Sequence, residues 1–227
     1  MAKKILVVLT SREKYPDMDR ATGIWLGEAV HFVRKVEEAG FTVDYVSPQG
    51  GYVPIDPHSL EMAEPVDWEW YARRDFVNRL GTTKKPSEVS ADDYAAIYYV
   101  GGHGVMWDFP DDADMQQLAR RIWEAGGVVS GVCHGVVGLL NIKLSDGSTL
   151  IHGKRLTGFS DGEERLAELD GHVPFMTEAA LKAKGALYEK APAPWQSFAV
   201  ADGRLITGQN PASGGKVAEL VIAALRG

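Results

Sequence analysis

The chain has 227 residues, a length that suits one large α/β domain or a compact domain carrying a modest insertion. Its hydrophobic fraction of 45% and charged fraction of 24% are ordinary for a soluble globular protein, and a net charge of -7 with no basic run excludes a general nucleic-acid binder. No stretch approaches the roughly 20 apolar residues that span a bilayer. The single cysteine, Cys133, excludes an intrachain disulfide and any multi-cysteine zinc site. A cytoplasmic protein with neither nucleic acid nor membrane as a partner is expected.

Two lysines, Lys3 and Lys4, precede an apolar run. That run extends only from Ile5 to Leu9 and no small-residue cleavage site follows, so a buried first strand over Lys4 to Thr10 is expected rather than a signal peptide. A helix is expected from about Gly23 to Ala39, stopped by Gly40, and a second strand from Phe41 to Ser47. Residues 50–92 break the alternation. They carry Pro54, Pro57, Pro65 and Pro86 with the aromatic cluster Trp68, Trp70, Tyr71 and Phe76, and read as a small, partly helical cap inserted into one domain, 1–227.

Ala95 to Gly101 is a further strand, entering the turn Gly101-Gly102-His103-Gly104. Asp111 to Ala125 reads as a helix with acids in its first turn and a core face of Met115, Leu118, Ile122 and Trp123. Val128 to Cys133 is a central strand, with a helix continuing from His134. Arg155 to Ser160 begins another strand and turn, and Phe198 to Thr207 reads as a hairpin about Asp202-Gly203. The last helix sets Val217, Leu220, Val221, Ala224 and Leu225 on one face. Strands alternating with helices indicate an α/β fold, a largely parallel sheet covered on both faces.

The strongest local pattern is Gly131-Val132-Cys133-His134-Gly135, closing an apolar strand and opening a helix. A nucleophile flanked in this way by glycines sits on a tight strand-to-helix turn, exposed at the carboxyl edge of the sheet where open α/β folds bind ligands. The helix amino terminus beside it favours the thiolate. Against this stands the ordinary fate of a free cysteine, a small hydrophobe in a core. Glu28 interrupts the apolar row Ile24, Glu28, Phe32, so it is either a buried acid with dedicated partners or the solvated edge of the stripe. A buried carboxyl beside a thiolate would donate a hydrogen bond to sulfur and shuttle a proton.

The N–H of Gly102, with that of His134, would form an oxyanion site, and His103 either lines the pocket or braces a loop. His134 needs an acid to orient it. Glu163 and Glu164 both qualify, and their spacing does not choose between them. His103, Cys133 and His134 have no recognised zinc spacing, so no metal and no cofactor are expected.

The stretches LTS near the start, TGIWLGEAVHF, EVSADDY, GGHGVMWDFP, GGVVSGVCHG, LIHGKRLTGFSDGEE and DGRLITGQNPAS together resemble, in order and spacing, the Hsp31-like branch of the DJ-1/PfpI superfamily over nearly the whole chain. The resemblance implies a flavodoxin-like α/β sandwich, often dimeric. It implies a Cys-His-Glu triad falling on Cys133, His134 and Glu164, with Glu28 as the acid facing the sulfur. It further implies a glutathione-independent glyoxalase of the D-lactate dehydratase type, turning methylglyoxal and related 2-oxoaldehydes into 2-hydroxy acids. Two departures are present. Val136 stands where proline commonly follows Cys-His-Gly, and Gly214-Gly215 replaces bulkier residues, which is expected to widen the pocket. Rival readings are a holdase for unfolded clients or a redox sensor, and a cysteine-dependent amidase, peptidase or deglycase. Class I amidotransferases carry a late His-x-Glu element, whereas here the last histidine, His172, is followed by Val173-Pro174.

Overall fold

The computed structural model describes residues 3–227. Strand β1 (Lys4–Val8) is apolar and almost wholly buried, as a strand covered on both faces must be. It pairs in parallel with β2 (Thr42–Val46) on one side and β3 (Tyr94–Tyr99) on the other. Strands β4 (Val128–Val132) and β8 (Leu205–Gly208) continue the parallel run, and β7 (Ala199–Asp202) closes the edge antiparallel to β8, giving the order β2-β1-β3-β4-β8-β7. The hairpin of β7 and β8 matches the reading of residues 198–207.

Successive strand residues point to opposite faces, so one sheet builds two cores. Ile5, Val7, Tyr98 and Val132 face α1 (Leu26–Glu38) and α9 (Gly214–Arg226). Leu6, Val8, Ile97, Tyr99 and Val129 face α6 (Ala113–Glu124) and the 3-10 helix Cys133–Leu139. The sheet is therefore largely parallel and sandwiched by helices. Among the described residues no helix is long and apolar enough to cross a membrane.

Several boundaries differ from the sequence reading, each for a local reason. Helix α1 begins at Leu26, not Gly23, because the N–H groups of Ile24 and Trp25 donate to Pro54 O and Gly101 O and hold that stretch extended. Gly40, with a φ of 90°, ends it as expected. The segment after Cys133 is 3-10 rather than α-helical. The strand expected from Arg155 shrinks to β5 (Arg155–Leu156), which pairs with β6 (Leu187–Tyr188) in a separate two-stranded sheet. Ala224 lies on the exposed side of α9, and Trp123 packs only at the margin of its core.

Residues 57–81 form α2 (Pro57–Glu61), α3 (Pro65–Tyr71) and α4 (Arg74–Gly81). Pro57 and Pro65 occupy first turns, where a missing N–H costs nothing, behind the caps Asp56 and Glu64. The aromatic cluster splits: Trp70 and Phe76 are buried, with Phe76 edge-on to both Trp70 and Tyr45, whereas Trp68 and Tyr71 remain 45% and 40% exposed.

Candidate active site

The chain leaves β1 for β2 on one side and returns to β3 on the other, so the carboxyl ends of β1, β3 and β4 frame a crevice of the kind that open α/β sheets use for ligands. Strand β3 leads into the Gly101–Gly104 turn, and β4 leads straight into Cys133. Cys133 has a φ of 57°, a left-handed conformation that a side chain adopts only when its surroundings impose it. Gly135 is what permits this turn: a Cβ there would collide with the carbonyl oxygens of Tyr99 and Val100. Gly131, by contrast, has room for ordinary van der Waals contact, so only one of the two flanking glycines is sterically required.

His134 follows directly and its ring folds back toward the sulfur. Its Nδ1 lies 3.4 Å from Cys133 Sγ and its Nε2 lies 2.7 Å from Glu164 Oε2. The second oxygen of Glu164, Oε1, is 2.8 Å from His103 Nε2. All three residues are buried. Burial opposes ionisation of Glu164, but the charge of His134 and hydrogen bonds from both imidazoles outweigh it and hold the carboxyl well below the usual carboxylate range. An ionised Glu164 accepts at both oxygens. It thereby holds a proton of His134 on Nε2, so that Nδ1 is the nitrogen facing the sulfur that gains and loses the second one. Burial first, then the charge of His134, lowers the pKa of His103 and keeps it neutral.

Glu28 approaches the sulfur from behind, on the first turn of α1, and is fully buried. Its Oε2 accepts from Gly101 N–H at 2.8 Å, while Oε1 has no protein partner in hydrogen-bond geometry among the described residues. A Cβ on Gly101 would fall 2.5 Å from Glu28 Oε2 and 2.9 Å from Cys133 Cβ, a measure of how tightly acid and thiol are pressed together. Burial pushes the Glu28 carboxyl up to about 8, against the lowering influence of the thiol and of Gly101 N–H. The Cys133 thiol is pushed up as well, by burial first and by an ionised Glu28 next, with His134 N–H pulling the other way. One buried pocket does not hold two such anions side by side, so the pair titrates as a unit with one charge between them. With the carboxyl protonated near neutral pH, its repulsion of a thiolate becomes a hydrogen bond toward one. The sulfur is served by these neighbours more than by the short 3-10 turn, which is a weaker dipole than the expected α-helix.

A cavity of about 450 Å³ opens over this group. Cys133, His134, His103 and Gly102 line it together with the apolar Phe159, Leu169 and Trp195 and with His58, Met62 and Asp67 of the 50–92 segment. Glu28 is not among the lining residues. It reaches the cavity only through the sulfur.

A profile of the DJ-1/PfpI family matches residues 21–224. The chain belongs to the DJ-1/PfpI family. It is 37% identical over 236 residues to the glutathione-independent glyoxalase HSP31 of Saccharomyces cerevisiae, covering 99% of this chain and 98% of the relative. The crystal structure of glyoxalase III from Candida albicans superposes with a TM-score of 0.90 at 33% identity, covering 98% of this chain and 97% of that one. Rapid Encystment Protein 24 kDa of Francisella tularensis superposes with a TM-score of 0.94 at 35% identity, covering 98% and 99%. The flavodoxin-like sandwich of this DJ-1/PfpI protein thus agrees with the fold its motifs implied.

All six residues singled out from the sequence, Cys133, His134, Glu28, Glu164, Gly102 and His103, lie in or directly behind this one site. His172 does not; it pairs with Asp17 on the surface, at 2.9 Å. Gly214 and Gly215 do not widen the cavity either. Gly214 lies against the backbone of Glu28, and the pair lets α9 approach α1. Glu163 is separated from Glu164 by its bonds: it caps α7 (Asp161–Leu166) with Ser160 in a reciprocal capping box. The signal was present in the sequence, since Ser160-Asp161-Gly162-Glu163 is an S-x-x-E pattern. Phe159, 4.3 Å from the His134 ring, and Trp195 beyond it carried no such signal.

His103, His134 and Glu164 also bring three donor atoms within 4.8 Å of one another. Each imidazole Nε2 is already bonded to a carboxylate oxygen, an arrangement that orients two rings rather than caging a cation.

Proposed function

We propose that this protein is a glutathione-independent glyoxalase that converts methylglyoxal and related 2-oxoaldehydes to 2-hydroxy acids through Cys133. The observation that carries the reading is the chain Cys133 Sγ, His134, Glu164 on the wall of a largely apolar cavity, with a protonated carboxyl behind the sulfur. Full-length similarity to relatives named as glyoxalases supports it.

In this mechanism His134 Nδ1 takes the thiol proton as sulfur adds to the aldehyde carbon of methylglyoxal. The developing oxyanion lies against the N–H groups of Gly102 and His134 and receives the proton back, giving a hemithioacetal. His134 then moves the proton of that carbon to the neighbouring ketone carbon through an enediolate, while the hydroxyl proton passes from the first oxygen to the former ketone oxygen. One carbon is oxidised and the other reduced, with no external redox partner. The product is a lactate thioester, which water hydrolyses to lactate and the free thiol. His134 lines the cavity and Glu28 does not, so His134 is the shuttle and Glu28 tunes the sulfur. The 50–92 segment acts as a cap of the same domain and contributes His58, Met62 and Asp67 to the lining of the cavity.

Purified protein is expected to form lactate from methylglyoxal with no glutathione present. Absence of turnover in protein whose Cys133 is fully reduced by mass spectrometry would sink the proposal. Glu164→Gln turns an amide donor toward one of the two imidazoles and removes the negative charge that stabilises His134 when it takes up the thiol proton. A fall in kcat of roughly 100-fold is expected; unchanged kcat would remove Glu164 from the relay.

A further inference from the structure

The second glutamate of the pair has a job that the relay does not use. Glu163 is fully buried, and its carboxylate accepts five hydrogen bonds: from Ser160 N–H and Oγ–H, from Trp195 N–H at 2.9 Å, from Gln209 Nε2 at 3.0 Å and from Asn210 Nδ2 at 2.8 Å. A helix cap needs only the Ser160 bonds. The other three tie α7, which carries Glu164, to the segment 191–198 and to the turn after β8. Asn210 also donates to Gln196 O at 2.8 Å, and Gln209 Oε1 accepts from Ala191 N–H at 2.7 Å, so the segment is pinned at several points.

Trp195 is what this anchoring holds. It has a φ of 64°, left-handed for a bulky residue, and that conformation persists only where the surroundings over-determine it. The strain gains the fold no core packing, because the side chain stays 46% exposed. Instead the indole lines the cavity, 5.7 Å from the Phe159 ring, which in turn lies 4.3 Å from the His134 ring. An exposed aromatic kept in a costly conformation at the edge of a catalytic cavity faces substrate. The cavity of about 450 Å³ is also far larger than methylglyoxal, a molecule of five non-hydrogen atoms, requires.

We propose that Trp195, set in place by the Glu163 carboxylate, is a specificity-determining wall that favours 2-oxoaldehydes carrying an aromatic or bulky apolar tail. Trp195 touches the tail. Glu163 acts through Trp195 and is a positioning residue. The inference rests on the glyoxalase reading for its substrate class, and its test includes a binding measurement that needs no turnover.

The experiment compares wild type, Trp195→Ala, Trp195→Phe and Glu163→Gln with phenylglyoxal and methylglyoxal. The ratio of kcat/KM for phenylglyoxal over methylglyoxal is expected to fall about tenfold in Trp195→Ala, through KM, and to recover in Trp195→Phe. Glu163→Gln is expected to lower the same ratio, with no further fall in the double variant, since both changes remove one wall. Should Glu163→Gln fail to fold, Glu163→Asp, which retracts the carboxylate by one methylene, takes its place. Calorimetric titration with mandelate and lactate, the corresponding products, is expected to show a mandelate preference that Trp195→Ala loses. A ratio unchanged in Trp195→Ala, or equal losses on both substrates, overturns the proposal. If the wild type lacks turnover yet binds mandelate in a Trp195-dependent way, the glyoxalase reading fails and this one stands.

Discussion

Cys133→Ala is expected to lower lactate formation from methylglyoxal by about 10,000-fold or more, because every bond-making step in the mechanism runs through the sulfur. The substitution removes a single heavy atom and introduces no new contact. Its left-handed backbone is held by the elbow around it, so the fold should survive and the loss should read as chemistry. Circular dichroism and thermal unfolding check the first point, and single-turnover assays the second. Residual activity within about tenfold of wild type would mean that another group attacks the aldehyde, and the mechanism above would have to be abandoned. A holdase role, by contrast, predicts client protection that is indifferent to this substitution. The exposed part of the aromatic cluster, Trp68 and Tyr71, is where such a role would be sought.

Glu28→Gln carries the second large effect, and it has two separable parts. Turnover is expected to fall roughly 1,000-fold, since the amide cannot supply the carboxyl O–H that stabilises the thiolate. The other part is a dependence of stability on pH. Glu28 has its pKa raised from 4.5 to about 8 in the folded chain by burial. The folded state therefore keeps a proton that the unfolded chain releases. The stability linked to that proton is complete below pH 4.5 and is lost as the pH climbs through 8. Glutamine has no such dependence. Relative to Glu28→Gln, the wild type should lose a few kcal/mol of unfolding free energy between pH 5 and pH 8. Urea titrations at each pH measure this directly, and two parallel stability curves would show that Glu28 is not a buried acid.

The sequence made some of this site plain and concealed the rest, for physical reasons. Cys133 was legible because an elbow needs a small residue where the helix crosses the preceding strand, and Gly135 meets Tyr99 O there. Glu28 was legible because a carboxyl on an apolar row asks for an explanation, and burial supplied it. The parallel sheet followed from apolar runs short enough to be strands. What stayed hidden depends on long-range contacts. Glu163 accepts from residues 32, 46 and 47 positions away, and no local periodicity encodes such a meeting. The start of α1 departs from the expected Gly23 for the same reason: the N–H groups that would open the helix are held by Pro54 and Gly101, from other parts of the chain. Local sequence does not choose between the two roles of His103, because the carboxylate that binds it lies 61 residues on.

The chain contains one sulfhydryl, 2% exposed, at the centre of the site. Thiol counting is therefore also active-site counting. The equivalents of reagent consumed by a preparation give its fraction of competent molecules, with no background from other cysteines to subtract. That sulfur lines the cavity, so reagents graded by size measure the width of the opening. A small alkylating agent and a bulky aromatic disulfide, used on the same sample, would report the chemistry of the sulfur and the aperture above it as two independent quantities.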